Sequence, residues 1–295
     1  MEVTAQMVKE LRGQTGAGIM DCKEALRETN GDSEEAVRFL REKGLSSAAK
    51  KMGREASEGQ VSARIDTDGR VGVLVEVNCE TDFVAKTEDF QSLVNQVAEH
   101  VMVRGPESLD PKNGGQPIQE AVTAAIAKLG ENILVSRANR FEVQDGTEGR
   151  VVSYIHPGGR IGVLIGLECA SNVAAKSEEI GEIGKDLAMQ VAASNPSFLR
   201  RDLVSESSIE SERVILRAQQ AESGKPEKII EKIVEGRLEK FFKESCLLEQ
   251  LFIKDTDHSV QEMLSERAKK LGEEISVTRF LSFQLGERDG REDGA

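Results

Sequence analysis

The sequence predicts an α+β fold in which a unit of strand, strand, helix, helix, strand occurs twice, and two internal repeats plus one change of spacing point to it. Residues 69–86, GRVGVLVEVNCETDFVAK, return ninety positions later as residues 159–176, GRIGVLIGLECASNVAAK, with the glycine, arginine, GVL run, cysteine and closing Ala-Lys in register. Residues 129–137, LGENILVSR, resemble residues 271–279, LGEEISVTR, but at an offset of 142. The second copy therefore carries an insertion of about fifty residues. Each unit is expected to form a small three-stranded antiparallel sheet with helices on one face.

The elements follow in order. Residues 1–44 read as a three-helix bundle. Val8 and Leu11 mark its first helix, Gly16-Ala17-Gly18 breaks it, residues 20–29 make the second, and Asn30-Gly31 turns. Asp32 with Glu35 suits a capping box for a third helix, which carries Ala36, Val37 and Leu40 on its apolar face and ends at Lys43-Gly44. Some forty residues bury little apolar surface, so the bundle is expected to dock on something. Residues 45–57, LSSAAKKMGREAS, are small, basic and polar, and read as a linker. Core repeat 1 spans 58–143. Core repeat 2 spans 144–199 and 245–286, with residues 200–244 inserted as a helical hairpin. Its helices cover 205–221 and 227–244 around a Ser223-Gly224-Lys225-Pro226 turn. In the second limb Ile230, Val234, Leu238 and Phe241 share a stripe, while Ile209, Ile215 and Leu216 pattern the first less clearly. Residues 287–295, ERDGREDGA, read as a disordered tail.

Composition narrows the function. A chain of 295 residues holds two or three domains. No apolar run approaches the roughly eighteen residues that would span a bilayer, and the N-terminus has no apolar signal segment, so no membrane partner and a cytoplasmic location are expected. A net charge of -13, one Tyr and no Trp oppose direct nucleic-acid binding. Cys22, Cys79, Cys169 and Cys246 are widely spaced without a CxxC pair, which suits reduced structural thiols rather than disulfides or zinc. The GQTGAG run at 13–18 follows a helix and precedes Ile-Met-Asp, whereas a phosphate loop follows a strand and ends in Gly-Lys-Ser/Thr. His100, His156 and His258 form no nucleophile-base or ligand spacing. The expectation is a protein with no catalytic residues, metal or cofactor; an NTP-binding enzyme using the glycine turn and a structural adaptor are the alternatives.

The two copies differ most at one corner, where Thr81-Asp82-Phe83-Val84 stands against Ser171-Asn172-Val173-Ala174. Taken alone, Phe83 suits a core anchor between strand and helix as well as an exposed ring. Val173 at the equivalent core position indicates that packing does not require an aromatic, which favours a partner for Phe83. Asp82 can accept backbone amides of the turn or contact a partner. Lys9, Arg12 and Lys23 would ordinarily be a solvated helix face.

Several motifs together resemble one family: MVKELR at 7–12, TGAGIMDCKEAL at 15–26, VNCETDFVAK at 77–86, MQVAASNP at 189–196, SGKP at 223–226 and VEGRLEKF at 234–241. In order and over nearly the whole chain they are similar to bacterial translation elongation factor Ts. The resemblance implies a nucleotide-exchange factor for elongation factor Tu with a UBA-like N-terminal bundle, a duplicated core and a hairpin for self-association. It implies that Lys9, Arg12, Met20 and Lys23 dock on the partner's G domain, and that the corner Thr81, Asp82, Phe83 and Val84 displaces magnesium and GDP so that GTP can reload. The resemblance further implies a partner contact at His156, in the turn of the second repeat. Ile19 stands where Met is frequent, and ERDGREDGA stands where many members carry a further C-terminal helix.

Overall fold

The computed structural model describes residues 3–220 and 226–287. These fall into two compact units, one of the described residues up to Ser62 with Leu74–Arg140, the other of Ala63–Val73 with the described residues from Phe141 onward. The SGKP turn, apart from Pro226, and the 287–295 tail, apart from Glu287, lie outside the described residues.

In the first unit, α1 (Ala5–Thr15) is capped by Thr4, whose hydroxyl accepts from the Met7 amide, and is stopped by Gly16 in the left-handed region at φ 65°. That conformation is why the glycine run ends a helix. α2 (Ile19–Glu28) and α3 (Ser33–Lys51) complete a bundle around Val8, Leu11, Cys22, Ala25, Leu26 and Ala36. Asp32 caps α3 by accepting from the Glu35 amide.

The end expected for α3 at Lys43-Gly44 and the linker expected from residue 45 are corrected, because the helix runs on to Lys51. Gly44 lies within it for a packing reason. A Cβ built there would stand 3.1 Å from the Ala127 methyl on α6 (Gln116–Leu129), so the missing side chain lets two helices approach. The bundle docks on the helix layer of its own unit.

β1 (Glu58–Ile65), β2 (Val71–Cys79) and β3 (Ile133–Glu142) form a three-stranded sheet in the order β1-β2-β3. β2 is buried from Gly72 to Cys79. Between β2 and β3 run the short α4 (Asp82–Ala85), α5 (Glu88–Arg104) and α6. α5 buries Phe90, Leu93, Val94, Val97, Ala98 and Val101, the three-and-four spacing of a one-sided helix.

The second unit repeats this order. β4 (Glu148–Ile155), β5 (Ile161–Cys169) and β8 (Ile275–Gln284) form an antiparallel sheet ordered β4-β5-β8, with Val152 opposite Ile165 and Leu164 opposite Leu281. α7 (Asn172–Ala175), α8 (Glu178–Ser194) and α11 (Val260–Leu271) are its helices. α8 buries Ile180, Ile183, Leu187, Ala188 and Val191, each ninety positions after a buried residue of α5.

The insertion holds α9 (Glu206–Ala218), α10 (Glu227–Ser245) and a two-stranded sheet of β6 (Leu251–Phe252) and β7 (Asp255–Ser259). The helices close on Val204, Leu216, Val234, Leu238, Phe242 and Cys246. Phe242, not Phe241, completes the buried stripe; Phe241 packs at its margin. At the base of the hairpin the Arg201 guanidinium pairs with Glu239 and Glu249 and lies 4.7 Å from the Phe242 ring centre. The β6–β7 sheet, expected to be part of the resumed core, is held by polar residues of α8. Gln190 donates to Gln250 Oε1 at 3.1 Å and accepts from the Ile253 amide at 2.8 Å, and Asp186 pairs with Lys254 and Arg267. Their counterparts on α5, Gln96 and His100, are exposed and half-buried, and the His100 Nε2 lies 3.2 Å from the Ser108 carbonyl.

Candidate functional site

β2 leaves the core at Cys79, and the chain must then turn into α5 within a few residues. Thr81 makes the turn. Its extended backbone (φ -130°, ψ 152°) caps α4, and its hydroxyl accepts from the Val84 amide at 3.4 Å. The same hydroxyl donates to Glu131 Oε1 at 2.6 Å, while the Thr81 amide donates to Glu131 Oε2 at 3.0 Å. A return bond runs from the Asn132 amide to Glu80 Oε1 at 2.6 Å. Beyond the turn, Thr87 caps α5 and donates its hydroxyl to the Val84 carbonyl at 2.7 Å. The corner is braced on both sides.

Cys79 adds a further brace, its thiol donating to the Thr81 carbonyl at 3.1 Å. Burial, with the Glu131 charge behind it, pushes that thiol up to about 12, so the proton stays in place at neutral pH.

Phe83 occupies the second position of α4 and is 79% exposed. Asp82 precedes it and pairs with Lys86 one helical turn on, at 2.6 Å. That hydrogen bond, helped by the lysine charge and by backbone amides of Asp82 and Phe83, holds the carboxyl below the usual range. Both partners are exposed, so the pair contributes little to stability and can exchange for another cation. Val84 and Thr81 are half-buried: they shape the corner while Asp82 and Phe83 face outward.

The second corner has the same build. Ser171 (φ -138°, ψ 152°) caps α7, accepts from the Ala174 amide at 3.2 Å and donates to Glu273 Oε1 at 2.8 Å. Val173 there is 84% exposed, which corrects its expected place in the core. The cap conformation directs the second residue of the short helix outward in both copies. The conclusion that packing needs no aromatic at Phe83 stands, but because the position is solvent-facing, not because a smaller core residue fills it.

On the bundle, Lys9 and Arg12 are exposed one turn apart on α1. Ile19 and Met20 are 56% and 72% exposed at the start of α2, and Lys23, a turn after Met20, is half-buried. The bundle and the Phe83 corner belong to one compact unit; His156 belongs to the other.

His156 is exposed in the β4–β5 turn, where its amide donates to the Ile161 carbonyl at 2.9 Å and its Nδ1 lies 3.1 Å from the Tyr154 hydroxyl. At the matching turn of the first sheet Asp66 accepts from the Arg70 and Val71 amides, locking the loop with its side chain. The imidazole does no such work.

Glu131, Glu80 and Asn132 escaped the sequence reading. The signal was present, since the glutamate of Leu-Gly-Glu recurs as Glu273 and each copy meets a Thr or Ser hydroxyl at the corner. Among the described residues no group of three or more His, Cys, Asp and Glu is arranged to hold a metal ion, and no helix is long and apolar enough to cross a membrane.

Small three-stranded sheets, a helix layer on each and a braced corner with an exposed apolar ring define a mixed α+β protein. A family model described as elongation factor TS matches residues 80–287. An elongation factor Ts of Clostridium kluyveri is 47% identical over 292 residues, covering 97% of this chain and 93% of its own length. One from Clostridium perfringens is 49% identical over 290 residues with the same coverage, and one from Trichlorobacter lovleyi 46% identical over 294 residues, covering 97% and 94%. The chain belongs to the elongation factor Ts family.

Proposed function

We propose that the chain is a nucleotide-exchange factor for elongation factor Tu, acting in the cytoplasm during translation elongation. The observation that carries the mechanism is Phe83, an aromatic ring 79% exposed on a corner whose backbone is tied down on both sides. A loose loop would yield when pushed against a partner; a braced one transmits the push. The ring acts as a wedge beside the partner's magnesium and phosphate site, and Asp82, released from Lys86, offers its carboxylate to a cation or amide there.

Exchange then follows from linkage. A factor that binds the empty partner more tightly than the GDP form weakens GDP binding by the same ratio. Each tenfold weakening requires about 1.4 kcal/mol of differential affinity. GTP refills the emptied site. Lys9, Arg12 and Lys23 supply charge and Met20 apolar area for docking of the bundle, which we read as UBA-like; His156 contacts the partner from the other unit. Thr81 and Val84 shape the corner.

We also read the two core units as a duplication, supported by the matching caps at Thr81 and Ser171 and by the buried positions repeated between α5 and α8. The hairpin, with Val214, Ile215 and Ile229 exposed, serves self-association. Replacing residues 205–243 by a short glycine linker should leave a folded monomer that still exchanges nucleotide, as read by sedimentation and GDP release; an unaltered oligomeric state would remove the self-association role.

The deciding experiment is release of labelled GDP from elongation factor Tu with and without the chain. Acceleration that is lost in Phe83→Ala supports the wedge. No acceleration by the intact chain overturns the function.

A further inference from the structure

We propose that Glu131 is the positioning residue of the corner, fixing the direction in which Phe83 projects; this rests on the wedge reading above. α4 has only four residues and none of them is fully buried, so its own packing holds it weakly. Its N-terminal end is held by the carboxylate of Glu131, which arrives from the loop between α6 and β3. One oxygen takes the Thr81 amide at 3.0 Å and the other the Thr81 hydroxyl at 2.6 Å.

The second bond has a directional effect. With its proton committed to Glu131, the hydroxyl turns a lone pair to the Val84 amide, and that contact starts α4 at one place. An acceptor that cannot donate fixes the hydroxyl this way round, and an ionised carboxylate does so more strongly than a neutral one. Glu131 is half-buried behind the corner while Phe83 and Asp82 face outward, so it acts through Thr81. The bond from the Asn132 amide to Glu80 closes the clamp from the opposite side, and buried Asn132 donates its side-chain amide to the Arg54 carbonyl at 2.7 Å.

The second corner supplies a control within the same chain. Ser171 and Glu273 repeat the hydroxyl–carboxylate bond and the cap, yet the side chain they direct outward is Val173. Loss of Glu273 removes a bond of the same kind without touching the aromatic corner.

The test compares Glu131→Ala, Glu273→Ala, Phe83→Ala and the double variant Glu131→Ala/Phe83→Ala. For each, the GDP release rate from elongation factor Tu is measured at saturating factor, together with the melting temperature of the factor. Glu131→Ala is expected to lower the saturating rate at least about tenfold, since misplacing a contact group by about 1 Å can cost up to about a hundredfold. Glu273→Ala should melt at a lowered temperature too, but exchange at the parental rate. The double variant should be no slower than Phe83→Ala. Glu131→Gln, which keeps one acceptor oxygen, should recover part of the rate, and it replaces the alanine variant throughout if that variant does not fold.

Three results overturn the proposal: a parental rate in the Glu131 variant, an equal loss in the Glu273 variant, or a full further loss when the Glu131 change is added to Phe83→Ala. A parental rate in Phe83→Ala alone brings down the wedge reading and this proposal with it, and it is read from a different protein, so the two failures are distinguishable.

Discussion

Phe83→Ala removes a ring that faces solvent on a corner held by backbone and hydroxyl bonds, so the melting temperature should stay within a degree or so of the parent, in line with surface substitutions. The exchange rate should fall at least about tenfold, corresponding to about 1.4 kcal/mol in the barrier. A low-melting variant whose folded fraction exchanges normally would return Phe83 to the core. The thiols give a second expectation at this scale. Burial raises Cys79 to about 12 and Cys169 and Cys246 to about 11, from an ordinary value of 9.0. An acid whose folded pKa is raised lends stability fully present below pH 9, which is lost as the unfolded chain ionises between pH 9 and 11–12. Denaturant midpoints should therefore drop over that window, and less so in Cys79→Ala once its own baseline is subtracted. The exposure of Phe83 was legible because the repeat isolated it. Val173 was misplaced because an apolar residue after a buried strand looks like core, and sequence does not reveal that a cap conformation turns it outward.

At the scale of elements, α3 and α6 test why one glycine sits inside a helix. Gly44→Ala gains helix propensity of up to about 1 kcal/mol but meets the Ala127 methyl at 3.1 Å, so the two effects should nearly cancel. Gly44→Leu has no such space and should cost about 1–3 kcal/mol by overpacking. Urea unfolding of the two variants checks the order; equal stability for both would show that the helices do not meet closely here. The same glycine explains the misread boundary. A Lys-Gly pair is a sound stop signal in isolation, and tertiary packing overrode it. Phe241 and Phe242 were confused for a related reason: both fit an apolar stripe, and only the partner helix decides which ring is enclosed. The β6–β7 sheet left no signal, because β6 has only two residues and β7, Asp-Thr-Asp-His-Ser, has no apolar residue to alternate.

The whole molecule carries a net charge of -13, against which the exposed cations Lys9 and Arg12 on α1 stand out. Charges at the rim of an interface act mainly on the association rate. Lys9→Glu should slow binding to elongation factor Tu in stopped flow at low salt, with the difference shrinking as ionic strength rises past the Debye regime. An unchanged rate at low salt would leave this face merely solvated. At this scale the sequence was most informative. Two repeats at two offsets announced the element order strand, strand, helix, helix, strand that each sheet shows, and the change of offset marked the extra segment between α8 and α11, since similar segments report the order of elements without any need to know their contacts.

The clamp at Thr81 also bears on the thermodynamics of docking. Ordering four free residues on contact would cost about 1–2 kcal/mol each in backbone conformational entropy, which any interface must first overcome. Here that ordering is complete when the chain folds, through Glu131, Glu80, Cys79 and Thr87. In the docking proposed above, Phe83 would surrender only the rotation of its own side chain. The corner can thus dock with a smaller entropic penalty than a flexible segment of the same composition, and in calorimetry its loosening should appear as a more unfavourable −TΔS of complex formation at little change in the buried surface.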